Sequence, residues 1–238
     1  MSRIPGRLAA LMMALCALTA VTACSGGDDK PGDTPAANQP DGSPTLQQAS
    51  TAMAGLKSVA FTLATEDKPP IMVKSGDIKL LKSGDAEGTL QITQSGQSVE
   101  MKIVAVGDSI YIKGVTGGWR KVPKTMAAAL YDPSAVLDPN RGISKLLTTV
   151  AGPKVEGTEK INGKDADRVR GTLPKDTLGG LIPGITSDIQ GQVWINKADH
   201  RLVRVKAEIP PVASGGDKGS VIINFTEFDA PYTFKAPQ

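Results

Sequence analysis

The chain has 238 residues with 27 basic and 24 acidic side chains, and its net charge of +3 lacks the strong basic field that a nucleic-acid partner requires. Apolar residues make up 40% and aromatics only 4%, so a core must be built mainly from aliphatic side chains. Two cysteines, Cys16 and Cys24, and one histidine, His200, rule out a His-based zinc site and leave only a carboxylate metal site open.

Arg3 and Arg7 give a basic start, and Leu8 to Val21 follows as an uncharged apolar run. This is a secretion signal, too short for a comfortable membrane span. It closes on Val21-Thr22-Ala23-Cys24, which resembles the bacterial lipobox. The resemblance implies cleavage after Ala23, a diacylglycerol on the Cys24 thiol and an anchor on the extracytoplasmic (periplasmic) face of the cytoplasmic membrane. Each buried methylene of such an anchor contributes about 0.8 kcal/mol. Loss of residues 1–23 leaves 25 basic and 24 acidic side chains, close to neutrality. Cys24 is then the one remaining cysteine, so no disulfide can form within the chain.

Residues 24–43 are rich in Gly, Pro, Asp and Asn and read as a flexible tether reaching roughly 25 Å. Residues 44–238 then form one domain. Ser43-Pro44 opens a helix that carries Leu46, Ala49, Met53 and Leu56 and stops near Gly55. From Ser58 the period changes to two. Val59, Phe61 and Leu63 alternate with smaller or polar neighbours, as do Ile78 and Leu80, Leu90 and Ile92, Val99 to Ala105, and Ile110 and Ile112. A short strand at 119–122 continues this antiparallel meander.

Asp132-Pro133 opens a short helix over Ser134 to Leu137, and Asp138-Pro139 opens a longer one carrying Ile143, Leu146, Leu147 and Val150. Val155–Ile161 and Ala166–Leu173 are strands joined by Asn162-Gly163, a strong hairpin signal. A helix is expected over Lys175–Ile182, loosened by Gly179-Gly180 and Pro183-Gly184. Strands at 189–196, 201–209 and 220–228 complete the chain. About ten strands and four short helices predict an α+β fold: one large curved antiparallel sheet, a half-barrel with helices on its concave face. Where those helices leave the concave side unfilled, an apolar cavity results.

The strings Tyr131-Asp132-Pro133-Ser134-Ala135-Val136-Leu137-Asp138-Pro139, Gly142-Ile143, Glu159-Lys160-Ile161-Asn162-Gly163, Val193-Trp194-Ile195 and Asp199-His200-Arg201-Leu202 resemble the LppX/LprAFG family of mycobacterial and related actinobacterial lipoproteins. The resemblance implies a LolA-like half-barrel with a cavity for the acyl chains of lipids or glycolipids. It further implies carriage of those lipids from the cytoplasmic membrane towards the outer envelope, in some members alongside an efflux transporter. None of these strings is a catalytic motif, and with His200 the one histidine of the sequence no cofactor and no enzymatic activity are expected. The alternative is an envelope interaction module with a filled core that supports a transporter or enzyme.

Candidate cavity residues are Phe61, Leu63, Leu90, Ile92, Met101 and Ile103 from the sheet, with Leu146 and Leu147 from a helix. Leu178, Leu181 and Ile182 are candidates for a lid, on the strength of the glycines and prolines beside them. No catalytic constellation is legible. His200 lies in an expected turn, and Gly157–Lys164 spans an expected hairpin and lacks the spacing and Ser/Thr of a phosphate loop.

Overall fold

A computed structural model describes residues 39–67, 69–128, 132–179, 181, 185, 187–211 and 218–238. The expected signal segment, Cys24 and most of the expected tether lie outside these residues.

Helix α1 (Ser43–Ala54) follows Gly42, and the Asp41 carboxylate accepts from the Ser43 amide at 3.1 Å and hydroxyl at 2.8 Å. Those two bonds hold the Asp41 carboxyl below the ordinary carboxylate range. The cap expected at Ser43 therefore sits two residues earlier. The strands β1 (Ser58–Glu66), β2 (Val73–Leu81), β3 (Ala86–Gln94), β4 (Gln97–Val106), β5 (Ser109–Lys113) and β6 (Arg120–Pro123) form the meander. After α2 (Lys124–Ala128), a 3₁₀ turn (Pro133–Ala135) and α3 (Ile143–Thr149), the chain continues through β7 (Ala151–Ile161) and β8 (Lys164–Leu173). It then runs through α4 (Lys175–Leu178), β9 (Ile189–Asn196), β10 (Leu202–Ile209) and β11 (Gly219–Phe228).

All eleven strands join one sheet in the order β6-β5-β4-β3-β2-β1-β11-β10-β9-β8-β7, and every pairing is antiparallel. The first and last strands thus meet in the middle, while β6 and β7 are opposite edges. The chain between them leaves α2 beside β5 and β6 and brings the 3₁₀ turn and α3 onto one face. That face is the apolar one. Leu46, Ala49 and Met53 of α1 and Ile143 and Leu147 of α3 pack with Val59, Leu80, Ala105, Ile110, Val193 and Val205 of the strands. The buried Ser50 hydroxyl donates to the Ser144 carbonyl oxygen at 2.8 Å and ties α1 to α3.

Both edges are blunted in ways that discourage pairing with another chain. Pro40 to Gly42 cover β7, with the Gly42 amide donating to Pro153 O at 3.0 Å and the Val155 amide to Pro40 O at 2.9 Å. The opposite edge, β6, is only four residues long and carries Arg120, Lys121 and Pro123.

Three helix expectations are corrected. The helix expected over Ser134 to Leu137 is a single 3₁₀ turn over Pro133–Ala135, closed by the Val136 amide donating to Pro133 O at 3.3 Å. Asp138-Pro139 makes a turn, because the Asp138 carboxylate accepts from the Asn140 amide at 2.8 Å and the Asp138 carbonyl from Gly142 at 2.8 Å. The helix starts only at Ile143, and a Cβ at Gly142 would collide with the carbonyl oxygens of Ala135 and Val136. Helix α4 is a single turn, Lys175–Leu178, rather than a helix to Ile182. The pair Gly179-Gly180 lowers the helical propensity where a second turn would form.

Candidate functional site

Alternation along β1 sends Phe61 and Leu63 to the helix-bearing face. Register then fixes their neighbours: Phe61 lies opposite Ile78 on β2 and Phe225 on β11, and Leu63 opposite Gly76 and Ile223. Directly opposed residues of an antiparallel pair share a face, so these side chains form one apolar surface. Next on that surface is Leu90 of β3, opposite Gly76; a Cβ at Gly76 would occupy the space of the Leu90 side chain.

This surface bounds a cavity of about 260 Å³. Phe61, Leu63, Val73, Ile78 and Leu90 form one side, and Leu202, Val205, Ala207, Val221, Ile223 and Phe225 continue it through β10 and β11. Leu173 of β8, Val136 beyond the 3₁₀ turn, and Ile143 and Leu146 of α3 cover it, with Leu178 and Leu181 at and after α4. Every one of these side chains is hydrocarbon. The wall therefore offers no charge, no nucleophile and no metal ligand.

The two halves of the wall differ in burial. Leu146, Leu173, Leu178, Leu202 and Val221 are buried, as expected of packed core. Phe61, Leu63, Val73, Ile78, Leu90 and Ile223 are only half-buried although they point at the helices. Apolar side chains that face inward and still meet solvent-sized space line a hollow. At about 260 Å³ the hollow falls just below the roughly 300–1,000 Å³ typical of small-molecule sites.

Of the residues singled out from sequence, Phe61, Leu63, Leu90, Leu146, Leu178 and Leu181 border this cavity. Leu147 is one position around α3 from Leu146 and is turned into the main core, where it is 2% exposed. Ile103 packs against that same core from β4. Ile92 and Met101 share the inner face, since Met101 opposes Leu90, but they are half-buried and stand beyond the cavity wall. Ile182 lies outside the described residues. Sequence reading missed Val221, Ile223 and Phe225, whose alternation was visible in β11 but whose pairing with β1 was not.

Two polar arrangements position the cover. Asp132 accepts from the Ser134 amide at 3.0 Å and hydroxyl at 2.6 Å, and its other oxygen is 3.4 Å from Arg141 Nη1. These partners, the Ser134 hydroxyl first, hold the Asp132 carboxyl below its ordinary range despite partial burial. The turn so fixed presents Val136 to the cavity. At the other cover, the Lys175 amide donates to Asp188 at 3.0 Å, and the hydroxyls of Thr149 and Thr177 lie 3.3 Å apart between α3 and α4.

A second hollow of about 390 Å³ lies near the ends of β9, β10 and β11. Asp67, Asp188, Lys206, Glu208 and Lys218 border it beside Ile189, Ile209, Pro210 and Pro211, so it mixes charge with hydrocarbon, unlike the first, and Lys206 is already paired with Glu66 at 2.7 Å. His200 sits in the β9–β10 turn with φ +56°, its amide donating to Asn196 O at 2.9 Å. Among the described residues no three His, Cys, Asp or Glu side chains are grouped to hold a metal ion, and no helix is long and apolar enough to cross a membrane.

Residues 41–233 match the family described as LppX_LprAFG lipoprotein. The chain is similar to the lipoarabinomannan carrier protein LprG of Mycolicibacterium smegmatis, with 28% identity over 199 residues, covering 82% of this chain and 84% of the relative. It superposes on LprF from Mycobacterium bovis with a TM-score of 0.71 at 22% identity, covering 84% of this chain and 99% of that one. The Mycobacterium tuberculosis lipoprotein LppX gives a TM-score of 0.59 at 23% identity, with 80% and 96% covered. At these identities the two structures establish a shared fold.

Proposed function

This chain belongs to the LppX_LprAFG lipoprotein family, and from that premise we propose that it is a lipid carrier, anchored through Cys24, that shelters acyl chains of a lipid or glycolipid in its concave cavity. The observation that carries the reading is the all-hydrocarbon wall whose β1–β3 side is only half-buried. Such a wall binds by excluding water, at about 0.8 kcal/mol per methylene, and needs no specific side chain. The relatives named as lipoarabinomannan carriers support a glycolipid as cargo. On this reading the direction of carriage is from the cytoplasmic membrane towards the outer envelope, with an efflux transporter as the class of partner. The chain on this reading works as a binding protein, since an all-hydrocarbon wall holds cargo without reacting with it.

A space of about 260 Å³ is small for two or three long chains. Loading therefore involves widening, and the cover best suited to move is the segment after β8. It holds one helical turn, Lys175–Leu178, followed by glycines and a proline, and it contributes Leu178 and Leu181 to the wall. Displacing it would enlarge the hollow without breaking strand pairing.

The test is transfer of an acylated glycolipid between donor and acceptor vesicles. The full chain with Cys24→Ser should accelerate transfer in proportion to its concentration. Transfer at the spontaneous rate would remove the proposal and leave an envelope interaction module.

A further inference from the structure

The β5–β6 hairpin carries features that neither the cavity nor the fold uses. Lys113 ends β5, Arg120 and Lys121 begin β6, and residues 114–119 connect them. Val115 in that connection is 69% exposed, one of three large apolar side chains so placed among the described residues. Trp119 is half-buried, with Lys113 Nζ 6.0 Å from its ring centroid, and Lys121 Nζ stands 6.0 Å from the Tyr111 ring.

Register sorts these side chains. Lys113 lies opposite Lys102 and Lys121 opposite Tyr111, so three lysines and a tyrosine share the convex face, away from the helices. Like charges directly opposite on neighbouring strands are destabilising. Lys102 has Glu100 at 3.9 Å, but among the described residues no carboxylate forms an ion pair with Lys113, Arg120 or Lys121. Protection of a sheet edge would account for charge on β6. It does not account for an exposed valine at the tip or a tryptophan beside it, both of which make an edge more adhesive.

Tryptophan and tyrosine flanked by lysine and arginine are the side chains that settle at a membrane–water interface, and clustered cations are drawn to anionic headgroups. Met72, 64% exposed, lies in the β1–β2 connection at the same end of the sheet, its carbonyl accepting from the Thr93 amide at 2.7 Å. Val73, which follows it, is on the cavity wall.

We propose that the β5–β6 hairpin docks on an anionic phospholipid surface, with Val115 and Trp119 entering the interface while Lys113 and Lys121, on the convex face, meet lipid phosphates; Arg120, opposite Ile112, is on the other face of the sheet. The contact is additional to the acyl anchor proposed at Cys24. It does not depend on the cavity's contents, so an empty cavity would leave it standing.

Trp119 and Trp194 are the two tryptophans of the chain, and Trp194 is buried. Emission of Trp119 is therefore obtained as the difference between the full Cys24→Ser chain and the same chain carrying Trp119→Phe. Vesicles with brominated acyl chains, made of phosphatidylglycerol with phosphatidylcholine or of phosphatidylcholine alone, are the probe. The proposal expects quenching and a blue shift of Trp119 with the anionic vesicles, reversed by high salt. Lys113→Gln with Lys121→Gln should raise the lipid needed by about thirtyfold, the effect of two cations at such a surface. Unchanged Trp119 emission would overturn the proposal and leave the patch for a protein partner. Equal quenching by neutral vesicles would overturn the electrostatic recognition.

Discussion

Phe61 and Phe225 face each other across the β1–β11 pair with ring centroids 5.9 Å apart and planes at 51°, and both rings lie on the cavity wall. They are not equivalent. Phe225 is 5% exposed and also stacks on Phe228 at 6.2 Å, whereas Phe61 is half-buried. Phe225→Ala should cost about 3–4 kcal/mol of stability and Phe61→Ala about 1–2 kcal/mol, because the nearly buried Phe225 gives up more packing than the half-buried Phe61. Urea unfolding of the two variants checks the order; equal losses would mean that Phe61 is packed core.

Leu90 projects over Gly76 into the hollow. Leu90→Trp should fill space meant for hydrocarbon while leaving the sheet intact. If the indole displaces three methylenes of cargo, affinity falls by about fiftyfold at about 0.8 kcal/mol each. Lipid titration, together with an unchanged unfolding midpoint, reads this directly. Normal loading would place Leu90 off the binding path.

Lid movement can be tested where α3 meets α4. The hydroxyls of Thr149 and Thr177 are 3.3 Å apart, so cysteines there are near disulfide range. Thr149→Cys with Thr177→Cys, in the Cys24→Ser chain, should exchange lipid slowly when oxidised and at the original rate when reduced. Identical rates in both states would mean that cargo passes elsewhere.

The Asp132 turn predicts a pH effect. Its carboxyl is held low by the Ser134 hydroxyl and, with smaller effect, by the Ser134 amide and Arg141. A lowered folded-state value means that the unfolded chain binds the proton more readily. The stabilisation is therefore complete above the unfolded value of about 3.9 and is lost as pH falls through the folded one. Asp132→Asn should flatten the fall of stability in acid and, at neutral pH, cost about 1 kcal/mol as a lost cap. Unfolding midpoints from pH 7 to pH 2 for both chains provide the measurement, and parallel curves would show that titration of Asp132 contributes nothing to acid unfolding.

Much of this architecture is legible in local sequence. Strict alternation located β1 to β5, and Asn162-Gly163, both now at positive φ (51° and 79°), marked the β7–β8 hairpin. Asp132-Pro133 marked the start of a short helix that proved to be a 3₁₀ turn over Pro133–Ala135, because the Asp carboxylate satisfies the amide two residues on whether or not a helix continues. Asp138-Pro139 misled for the same reason: the chemistry that caps a helix also closes a turn, and the backbone contact of Gly142 with Ala135 and Val136 decided between them. The cavity wall was half visible. Phe61, Leu63 and Leu90 followed from alternation, but Ile223 and Phe225 required knowing that the last strand pairs with the first. Likewise, period alone gives Leu146 and Leu147 equal weight, and only the crossing of α1 over α3 turns one to the cavity and the other to the core.

The central claim is that the hollow holds hydrocarbon chains. Native mass spectrometry of the Cys24→Ser chain, purified without detergent from a host rich in acylated glycolipids, tests it most directly. The account predicts a dominant species heavier than the polypeptide by one multiply acylated lipid, released as a discrete mass on collisional activation. A spectrum showing the bare polypeptide after such a purification, and no uptake from added vesicles, would contradict it.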